Sequence, residues 1–167
     1  VAELLKKDKI NQYVKSIHQD RATPLPPLSA DEGRIGSANT THFSIIDTAG
    51  NRVAATLTIN LLFGAGIVGT GTGVLLNNEM DDFTLRADVA NSFRLRGGEA
   101  NSIAPGKRPL SSMTPTFVED SKGVLVLGAP GGSRIISQVL LATLARLRNP
   151  QVDLERLVGM PRYHHQN

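Results

Sequence analysis

Hydrophobic and polar positions follow two different rhythms in the first third of the chain. Over residues 1–18, apolar side chains recur every three or four positions with lysines between them, which predicts an amphipathic helix. Residues 19–39 break this rhythm with prolines and glycines, so they predict a linker or an extended arm. Two strand-like runs follow, Thr41–Asp47 and Arg52–Asn60, and the turn residues between them predict a β-hairpin.

The last third of the chain repeats the hairpin pattern and then becomes helical. Thr114–Glu119 and Val124–Leu127 predict a second β-hairpin, and residues 133–148 predict a helix that ends at Asn149. A shorter helix is predicted over 153–159. Strands and helices follow one another without steady βαβ alternation, so the predicted fold class is layered α+β. The longer helix has a broad apolar face that we expect to be buried: Ile135, Ile136, Val139, Leu140, Thr143, Leu144 and Leu147.

Two glycine-containing stretches separate the hairpins. Residues 63–73 contain a formal match to the G-x-G-x-x-G pattern of dinucleotide-binding sites, but glycines continue beyond it and no helical pattern follows. We therefore interpret this run as a flexible loop. Residues 84–106 predict a longer loop, and loops of that length in compact domains are usually functional or disordered.

Composition excludes several classes of function. The chain has 167 residues, of which 40% are hydrophobic, so it can bury a substantial core. A net charge of +3 without a basic patch argues against nucleic acid as a partner. The absence of cysteine excludes disulfides, zinc–thiolate sites and cysteine nucleophiles, and no apolar run reaches the ~20 residues of a membrane-spanning helix. His164 and His165 are adjacent and on a helix would point about 100° apart, so we predict no metal site, and we predict no cofactor.

The run Asn39-Thr40-Thr41 is the first candidate for chemistry. A threonine hydroxyl becomes an effective nucleophile when the threonine is the first residue of its chain, because its own α-amino group can then accept the proton. Such an amine has a pKa of about 7.7–8.0, near the pH at which a general base works best. A flexible arm before Asn39 and a strand at Thr40 suit a chain break between them. By pattern alone, however, an ordinary strand entry is the simpler interpretation.

Polar side chains further along the chain could complete a site around the nucleophile. Thr58 and Asn60 are two positions apart, so they share one face of the second strand, which faces either the nucleophile or solvent. Glu79 and Asp82 lie in an acidic turn. Such a turn suits an ammonium group or a hard cation, but taken alone it is more typical of a solvated surface.

Two further runs could bind negative charge. Ser111 and Ser112 follow two basic residues, and hydroxyls beside cations could hold a carboxylate. Gly131 and Gly132 precede the predicted long helix, where backbone N–H groups at its positive end suit an anion or an oxyanion. A simple glycine turn with a capping serine explains the second run equally well.

Taken in order, these runs resemble the small subunit of the γ-glutamyltransferase family together with the arm that precedes it. The resemblance spans nearly the whole chain and is weakest over residues 1–39. Five motifs carry it: Thr40-Thr41-His42-Phe43-Ser44, Leu76-Asn77-Asn78-Glu79-Met80-Asp81-Asp82-Phe83, Lys107-Arg108-Pro109-Leu110-Ser111-Ser112-Met113, Pro130-Gly131-Gly132-Ser133-Arg134-Ile135-Ile136 and Pro161-Arg162-Tyr163-His164-His165-Gln166.

The resemblance implies a proenzyme that cleaves itself between Asn39 and Thr40. Thr40 would then attack the γ-amide of glutathione or another γ-glutamyl compound. Water, or an acceptor amine from an amino acid or peptide, would resolve the γ-glutamyl ester. Carried over to this chain, Thr58 would hydrogen-bond the nucleophile, and the N–H groups of Gly131 and Gly132 would form the oxyanion hole.

The resemblance also implies how the substrate is held. Asn60, Glu79 and Asp82 would bind the α-amino group of the γ-glutamyl moiety. Ser111 and Ser112 would help to hold its α-carboxylate.

Phe93 lies in the 84–106 loop where many bacterial members of the family have a lid tyrosine over the nucleophile. An aromatic ring at this position can still exclude water, although phenylalanine lacks the hydroxyl.

The fold implied by the resemblance is the αββα sandwich of N-terminal-nucleophile hydrolases, incomplete in this chain. Residues 1–39 would be the C-terminal end of the large-subunit region, and residues 40–167 the catalytic small-subunit region, truncated at its C-terminus. The implied partner is the remainder of the large subunit, which in the family carries an arginine for the substrate carboxylate. The fragment could also form a homo-oligomer. The family further implies a periplasmic or extracellular location.

Three interpretations fit the sequence. The first is a γ-glutamyltransferase. The second is a class III cephalosporin acylase, which shares the architecture and the nucleophile but cleaves glutaryl side chains that lack the α-amino group. The third is an inert, unprocessed polypeptide or an assembly partner, in which Asn39 still caps Thr40.

Overall fold

The computed structural model describes residues 3, 5–21, 39–86 and 89–165. The chain divides into two compact units, one formed by residues 1–29 with residue 167 and the other by residues 30–166. Most of the predicted arm at 19–39 lies outside the described residues. The predicted division of the chain at Asn39–Thr40 concerns a cleavage position and stays a prediction.

The first unit contains helix α1 (Lys7–Ser16), which confirms the predicted amphipathic helix in a shorter form. Its apolar side chains are largely exposed, with Tyr13 at 56% and Val14 at 58%. The ammonium group of Lys9 lies 5.7 Å from the centre of the Tyr13 ring, a cation–π contact.

The second unit begins with the predicted hairpin, formed by strands β1 (Thr40–Ile46) and β2 (Arg52–Thr58). The strands are antiparallel, and the register places Thr40 opposite Thr58. The turn between them is held by Asp47, whose carboxylate accepts the N–H groups of Ala49 at 2.9 Å and Asn51 at 2.8 Å. The register follows from this turn, because a hairpin turn fixes which residues of its strands lie opposite each other.

The apolar face of this hairpin is more exposed than its polar face. Val53 and Leu57, on the apolar face, are 45% and 52% exposed. Thr40, His42 and Thr58, on the polar face, are half-buried. The polar row therefore faces the interior of the unit, and the solvent-facing alternative for this row is wrong.

The second predicted hairpin is present as β3 (Thr116–Asp120) and β4 (Gly123–Leu127), which pair antiparallel. An ion pair connects the two hairpins, because Arg52 Nη1 lies 2.9 Å from Glu119 Oε2. Gly128, which follows β4, packs against the ring of His42 so closely that any Cβ at residue 128 would overlap the ring. The connection from β4 onward therefore starts directly against the strand that begins at Thr40.

Both predicted C-terminal helices are present, as α2 (Arg134–Arg148) and α3 (Leu154–Gly159). The buried face of α2 is narrower than predicted. Ile135 is 1% exposed and Val139 is 5% exposed, whereas Ile136 and Leu140 are 50% and 54% exposed. Leu144 and Leu147 are also exposed, at 39% and 56%, so the described residues cover only part of the predicted apolar face. None of the described helices is long and apolar enough to cross a membrane.

Candidate active site

Thr40 is the first residue of β1, and the sheet register brings its side chain to Thr58. The Thr40 hydroxyl donates a hydrogen bond to Thr58 Oγ1 at 3.1 Å. Thr58 Oγ1 donates to the carbonyl oxygen of Asn39 at 3.1 Å and accepts from the backbone N–H of Asn60 at 2.8 Å. A hydroxyl has one proton and two lone pairs, so these three bonds use the full capacity of Thr58. The Thr40 proton is therefore directed at Thr58, which leaves the Thr40 lone pairs available elsewhere.

The peptide between Asn39 and Thr40 is held on both sides by pairing with the chain beyond β2. The N–H of Asn39 donates to the Asn60 carbonyl at 3.3 Å, and the N–H of Ile59 donates to the Asn39 carbonyl at 3.5 Å. With the bond from Thr58, the Asn39 carbonyl oxygen accepts two hydrogen bonds. Both donors polarise this carbonyl toward nucleophilic attack. Attack by Thr40 Oγ1 would close a five-membered ring, the geometry of an N-to-O acyl shift.

Asn60 lies just beyond the end of β2 and is 2% exposed. Its φ of 69° is left-handed, a conformation that asparagine tolerates better than most residues. The Asn60 side-chain amide donates to the Asn78 carbonyl at 3.2 Å, and Asn78 Oδ1 accepts the N–H of Leu61 at 3.0 Å. The alternation of strand faces does not extend to Asn60. The left-handed turn, secured by Asn78, places its side chain.

The acidic turn forms a short 3-10 helix, Glu79–Asp82, whose start is held by Asn77 Oδ1 accepting the N–H of Glu79 at 2.9 Å. Burial, together with the neighbouring charges of Asp82 and Asp81, raises the pKa of Glu79 to about 7. Burial also raises the pKa of Asp82, while a hydrogen bond with Glu79 opposes that rise. Two half-buried carboxyl groups at one place favour a shared proton unless a cation joins them. The turn is therefore suited to an ammonium group.

The predicted site residues come together around one small cavity of about 20 Å³. That volume holds roughly one water molecule. Its lining residues come from widely separated segments: Thr40, Thr58, Asn60, Glu79, Asp82, Phe93, Ser111, Ser112, Met113, Gly132, Ser133 and Ile135. Of the residues predicted to touch substrate or nucleophile, only Gly131 is missing from this lining, and it is the chain neighbour of Gly132.

Phe93 is 6% exposed and closes one side of this cavity. Asn91 holds the turn that carries it, because Asn91 Oδ1 accepts the N–H groups of Phe93 at 3.0 Å and Leu95 at 2.9 Å. The same segment is tied to the acidic turn. Asn91 Nδ2 donates to Asp82 Oδ1 at 3.3 Å, and the Ser92 N–H donates to an Asp81 carboxylate oxygen at 3.0 Å.

The glycine turn before α2 has the backbone that its two glycines permit. Gly131 has a φ of 129° and Gly132 a φ of 59°, both in the region that disfavours side chains. Ser133 makes no side-chain capping hydrogen bond to α2, so the capping explanation of this run is wrong. The N-terminal end of α2 instead meets the cavity through Gly132 and Ser133.

The serine pair lies at the cavity without the basic residues that precede it. Ser111 Oγ accepts the N–H of Met113 at 3.1 Å. Lys107 donates to the Ser102 carbonyl at 2.8 Å, and neither Lys107 nor Arg108 lines the cavity. The cationic contribution that the sequence suggested for this run is therefore absent from the cavity that the described residues form.

Sequence reasoning missed three lining residues, Met113, Ser133 and Ile135, and two of the three asparagines that hold the acidic turn, Asn91 and Asn101. Met113, Ser133 and Ile135 lie within or beside the motifs that were recognised. The asparagines carry no periodic signal, because their role is to bond distant backbone groups.

A much larger groove, of about 770 Å³, lies between the end of α2 and α3. Its charged lining residues, Asp153, Glu155 and Arg156, are exposed, and none of the predicted site residues reaches it. Cavity volume alone would therefore select a groove that contains none of the predicted site residues. The smaller cavity is the candidate active site because it gathers a nucleophile, two acidic groups and a helix N-terminus.

Comparison with known proteins agrees with this geometry. The family model described as γ-glutamyltranspeptidase matches residues 1–167, the whole chain. The chain belongs to the γ-glutamyltranspeptidase family. The glutathione hydrolase proenzyme of Pseudomonas sp. (strain A14) is 47% identical over 174 residues, covering 99% of this chain and 29% of that protein. The Escherichia coli (strain K12) glutathione hydrolase proenzyme is 49% identical over 131 residues, covering 78% of this chain and 22% of that protein.

Solved structures of the family confirm the predicted fold. The W525D mutant of γ-glutamyltranspeptidase from Pseudomonas nitroreducens superposes with a TM-score of 0.69 at 50% identity, covering 75% of this chain and 65% of that chain. The α+β fold of N-terminal-nucleophile hydrolases is thereby confirmed in incomplete form. The chain spans less than a third of the length of the two curated family members, 29% and 22%. The roles of individual residues stay predictions.

Proposed function

We propose that the protein to which this chain belongs cleaves γ-glutamyl amides such as glutathione, and transfers the γ-glutamyl group to water or to an amino-acid or peptide amine. One observation carries the proposal. A single cavity gathers the hydroxyl of Thr40, the paired carboxyl groups of Glu79 and Asp82, and the hydroxyls of Ser111 and Ser112. A γ-glutamyl moiety offers the matching groups: an amide to attack, an α-ammonium and an α-carboxylate.

Activation begins with the bond between Asn39 and Thr40. Thr40 Oγ1 attacks the Asn39 carbonyl carbon, the C–N bond breaks, and an ester forms with the proton passing to the released Thr40 nitrogen. Water then hydrolyses this ester and leaves Thr40 as a new N-terminus. The hydrogen bond of 3.1 Å from Thr58 to the Asn39 carbonyl supports this step, because it stabilises the negative charge that develops on that oxygen.

Turnover uses the released α-amine of Thr40 as the base. The hydroxyl oxygen attacks the γ-carbonyl carbon of the substrate, and the proton passes by way of the amine to the leaving nitrogen. The N–H groups of Gly131 and Gly132 hold the oxyanion in this proposal. Their left-handed φ values of 129° and 59° open the turn at the positive end of α2. The resulting γ-glutamyl ester on Thr40 is resolved by water or by an acceptor amine.

Asn60, Glu79 and Asp82 bind the α-ammonium in this proposal. The raised pKa of Glu79, about 7, supports that role, because a cation would allow both carboxyl groups to ionise together. Phe93 covers the nucleophile and excludes water. The remainder of the large subunit completes the pocket, and we infer a periplasmic or extracellular location from the family.

The test is turnover by the full-length protein that contains this sequence. We expect kcat/KM for γ-glutamyl-p-nitroanilide to exceed that for glutaryl-p-nitroanilide by about 10- to 100-fold, the size of a charged hydrogen-bonded contact. Faster cleavage of the glutaryl amide would overturn the proposal in favour of a cephalosporin-type acylase.

Intact mass provides the second measurement. The full-length protein should yield two fragments that divide at Asn39–Thr40, whereas a single species after long incubation supports an inert polypeptide. The 167-residue chain by itself should give no turnover, because most of the large subunit is missing from it. Activity of this chain alone would contradict the proposed need for a large subunit.

A further inference from the structure

Asn101 does not line the candidate active site, but it bonds to both segments that form the site's charged ends. It is the last residue of the short 3-10 helix Glu99–Asn101. Its Nδ2 donates to the Asp82 carbonyl oxygen at 2.7 Å. Its Oδ1 accepts the N–H of Leu110 at 2.9 Å. One side chain therefore connects the acidic turn to the residue that directly precedes Ser111.

These two contacts need a side chain that both donates and accepts, and an amide does so from two separate atoms. A backbone carbonyl can only accept a hydrogen bond, and a backbone N–H can only donate one. The side chain at 101 must therefore present a donor to Asp82 and an acceptor to Leu110 at the same time. A carboxylate would repel the Asp82 carbonyl, and an apolar side chain would leave both backbone groups without their partner. The orientation of the Asn101 amide is fixed by the same reasoning.

The surroundings of Asn101 are tightly packed. Thr84, which is 8% exposed, donates its N–H to the Asn101 carbonyl at 3.0 Å, and its Oγ1 lies 3.4 Å from Asn101 Nδ2. Gly97 approaches Thr84 so closely that any Cβ at residue 97 would overlap the threonine hydroxyl. The remaining void beside Asp82, Thr84, Asn101 and Leu110 is only about 10 Å³. The connection is rigid, because close-packed interiors transmit displacement instead of absorbing it.

We propose that Asn101 is a positioning residue that fixes the separation between the ammonium-binding end of the site, at Asp82, and the carboxylate-binding end, at Ser111 and Ser112. The site then recognises both charged groups of an α-amino acid together. The proposal rests on the function proposed above, since it concerns the same cavity. Asn101 would then make the two charged groups of the substrate contribute more together than the sum of their separate contributions. This role is in addition to its contribution to stability.

The test measures this coupling between the two charged groups by comparing four p-nitroanilides as substrates of the full-length protein. The γ-glutamyl compound carries both charged groups, the glutaryl compound only the carboxylate, the 4-aminobutanoyl compound only the ammonium, and the butanoyl compound neither. The coupling between the ends is kcat/KM for γ-glutamyl times that for butanoyl, divided by the product of the other two. We expect Asn101→Ala and Asn101→Asp to lower this coupling by about 10-fold, the range found for groups that act together.

Asn51→Ala is the matched control. Asn51 also uses its amide to hold a turn, donating to Asp47 at 2.7 Å in the β1–β2 connection. We expect it to leave the coupling unchanged. Each rate is divided by the concentration of self-cleaved protein in that variant, so that incomplete self-cleavage does not lower the measured kcat.

The outcomes separate the two proposals. If Asn101→Ala and Asn101→Asp lower all four rates by the same factor, Asn101 is structural only and this inference is wrong. If Asn101→Ala fails to fold or to process, Asn101→Asp decides, because it keeps the acceptor for Leu110 and replaces the donor to Asp82 with a repelling oxygen. If the unaltered protein shows no preference for the γ-glutamyl compound, the proposed function itself fails.

Discussion

The two ends of the candidate active site are held by different kinds of structure. At the nucleophile end, Thr40 and Thr58 face each other because backbone pairing between β1 and β2 places them there. At the recognition end, Glu79 and Asp82 lie on a 3-10 turn that Asn77, Asn91 and Asn101 hold through side-chain hydrogen bonds. The first end depends on sheet register, and the second depends on a few amide side chains in loops.

This difference has a consequence for function. Sheet pairing holds the two hydroxyls 3.1 Å apart, and this fixed hydrogen bond orients the attacking oxygen of Thr40. A loop held by single side chains can be altered by substitution without disturbing the sheet. Changes at the hairpin should therefore act on self-cleavage and on kcat, whereas changes in the loops should act on KM and on substrate preference.

The largest effect is expected from Thr40→Ala in the full-length protein. The alanine removes the attacking oxygen, so we expect no self-cleavage by mass spectrometry and a loss of turnover of roughly 10⁴-fold or more. Thr41→Ala is the control, because Thr41 is exposed and lies on the opposite face of β1, across from Leu57. If both variants still process, Thr40 is not the nucleophile.

Thr58→Val should have the next largest effect. It keeps the shape of the side chain but removes both the acceptor for Thr40 and the donor to the Asn39 carbonyl. We expect the rate of self-cleavage and kcat each to fall by about 100-fold, as when one oxyanion donor is lost. KM should change little.

Thr56→Val makes the same change two positions earlier in β2 on the same face, where the hydroxyl lies 2.8 Å from His42 Nδ1. This control should lower the melting temperature, because a half-buried ring nitrogen loses its partner. Its processing rate should stay within about threefold of the unaltered protein. Equal losses in the Thr58 and Thr56 variants would mean that the hairpin tolerates no change on its inner face, and that Thr58 has no special role.

The difference between backbone pairing in the sheet and side-chain hydrogen bonds in the loops also decides how much of the molecule could be predicted from sequence. Both hairpins and the helices followed from local periodicity, because the alternation of side chains is a property of each segment by itself. Asn101 was missed because its two partners are 19 and 9 residues away along the chain. No local pattern records such a contact.

Burial was the least predictable property. The apolar face of α2 looked fully buried in sequence, yet Ile136 and Leu140 are 50% and 54% exposed. The sequence left open whether the polar face of β2 meets solvent, and Thr56 and Thr58 on that face are half-buried. Which face is covered depends on how the layers are stacked, and a single strand or helix does not contain that information.

Glu79→Gln tests the recognition end. The proposed function has the substrate ammonium bound by the ionised carboxyl groups, so kcat/KM for a γ-glutamyl substrate should rise as pH increases through the Glu79 pKa of about 7. The variant should raise KM by about 10-fold at pH 8 and flatten this rise. Glu99→Gln, in an exposed part of the same loop region, is the control. An unchanged pH profile in the Glu79 variant would assign the titration to another group.

Glu79→Gln, which should weaken substrate binding, should make the folded protein more stable. The pKa of Glu79 is raised from its ordinary 4.5 to about 7 by folding, so the folded state binds more protons between those values. Stability is then greatest below pH 4.5 and is lost as pH rises through 7. Glu79→Gln should therefore raise the melting temperature more at pH 8 than at pH 5. We expect a gain of no more than about 1 kcal/mol at pH 8, because Glu79 is partly solvated.

The smallest effect is expected from Phe93→Tyr. Phe93 lies against a cavity of about 20 Å³, which is enough for the added hydroxyl. We expect kcat and KM to change by about twofold, since the ring still covers the nucleophile. Phe117→Tyr, at a 48% exposed position on β3, controls for adding a hydroxyl elsewhere. A tenfold loss of kcat in the Phe93 variant alone would mean that a change in the loops acts on kcat as a change at the hairpin does, and the expected division of effects between the two ends would then be wrong.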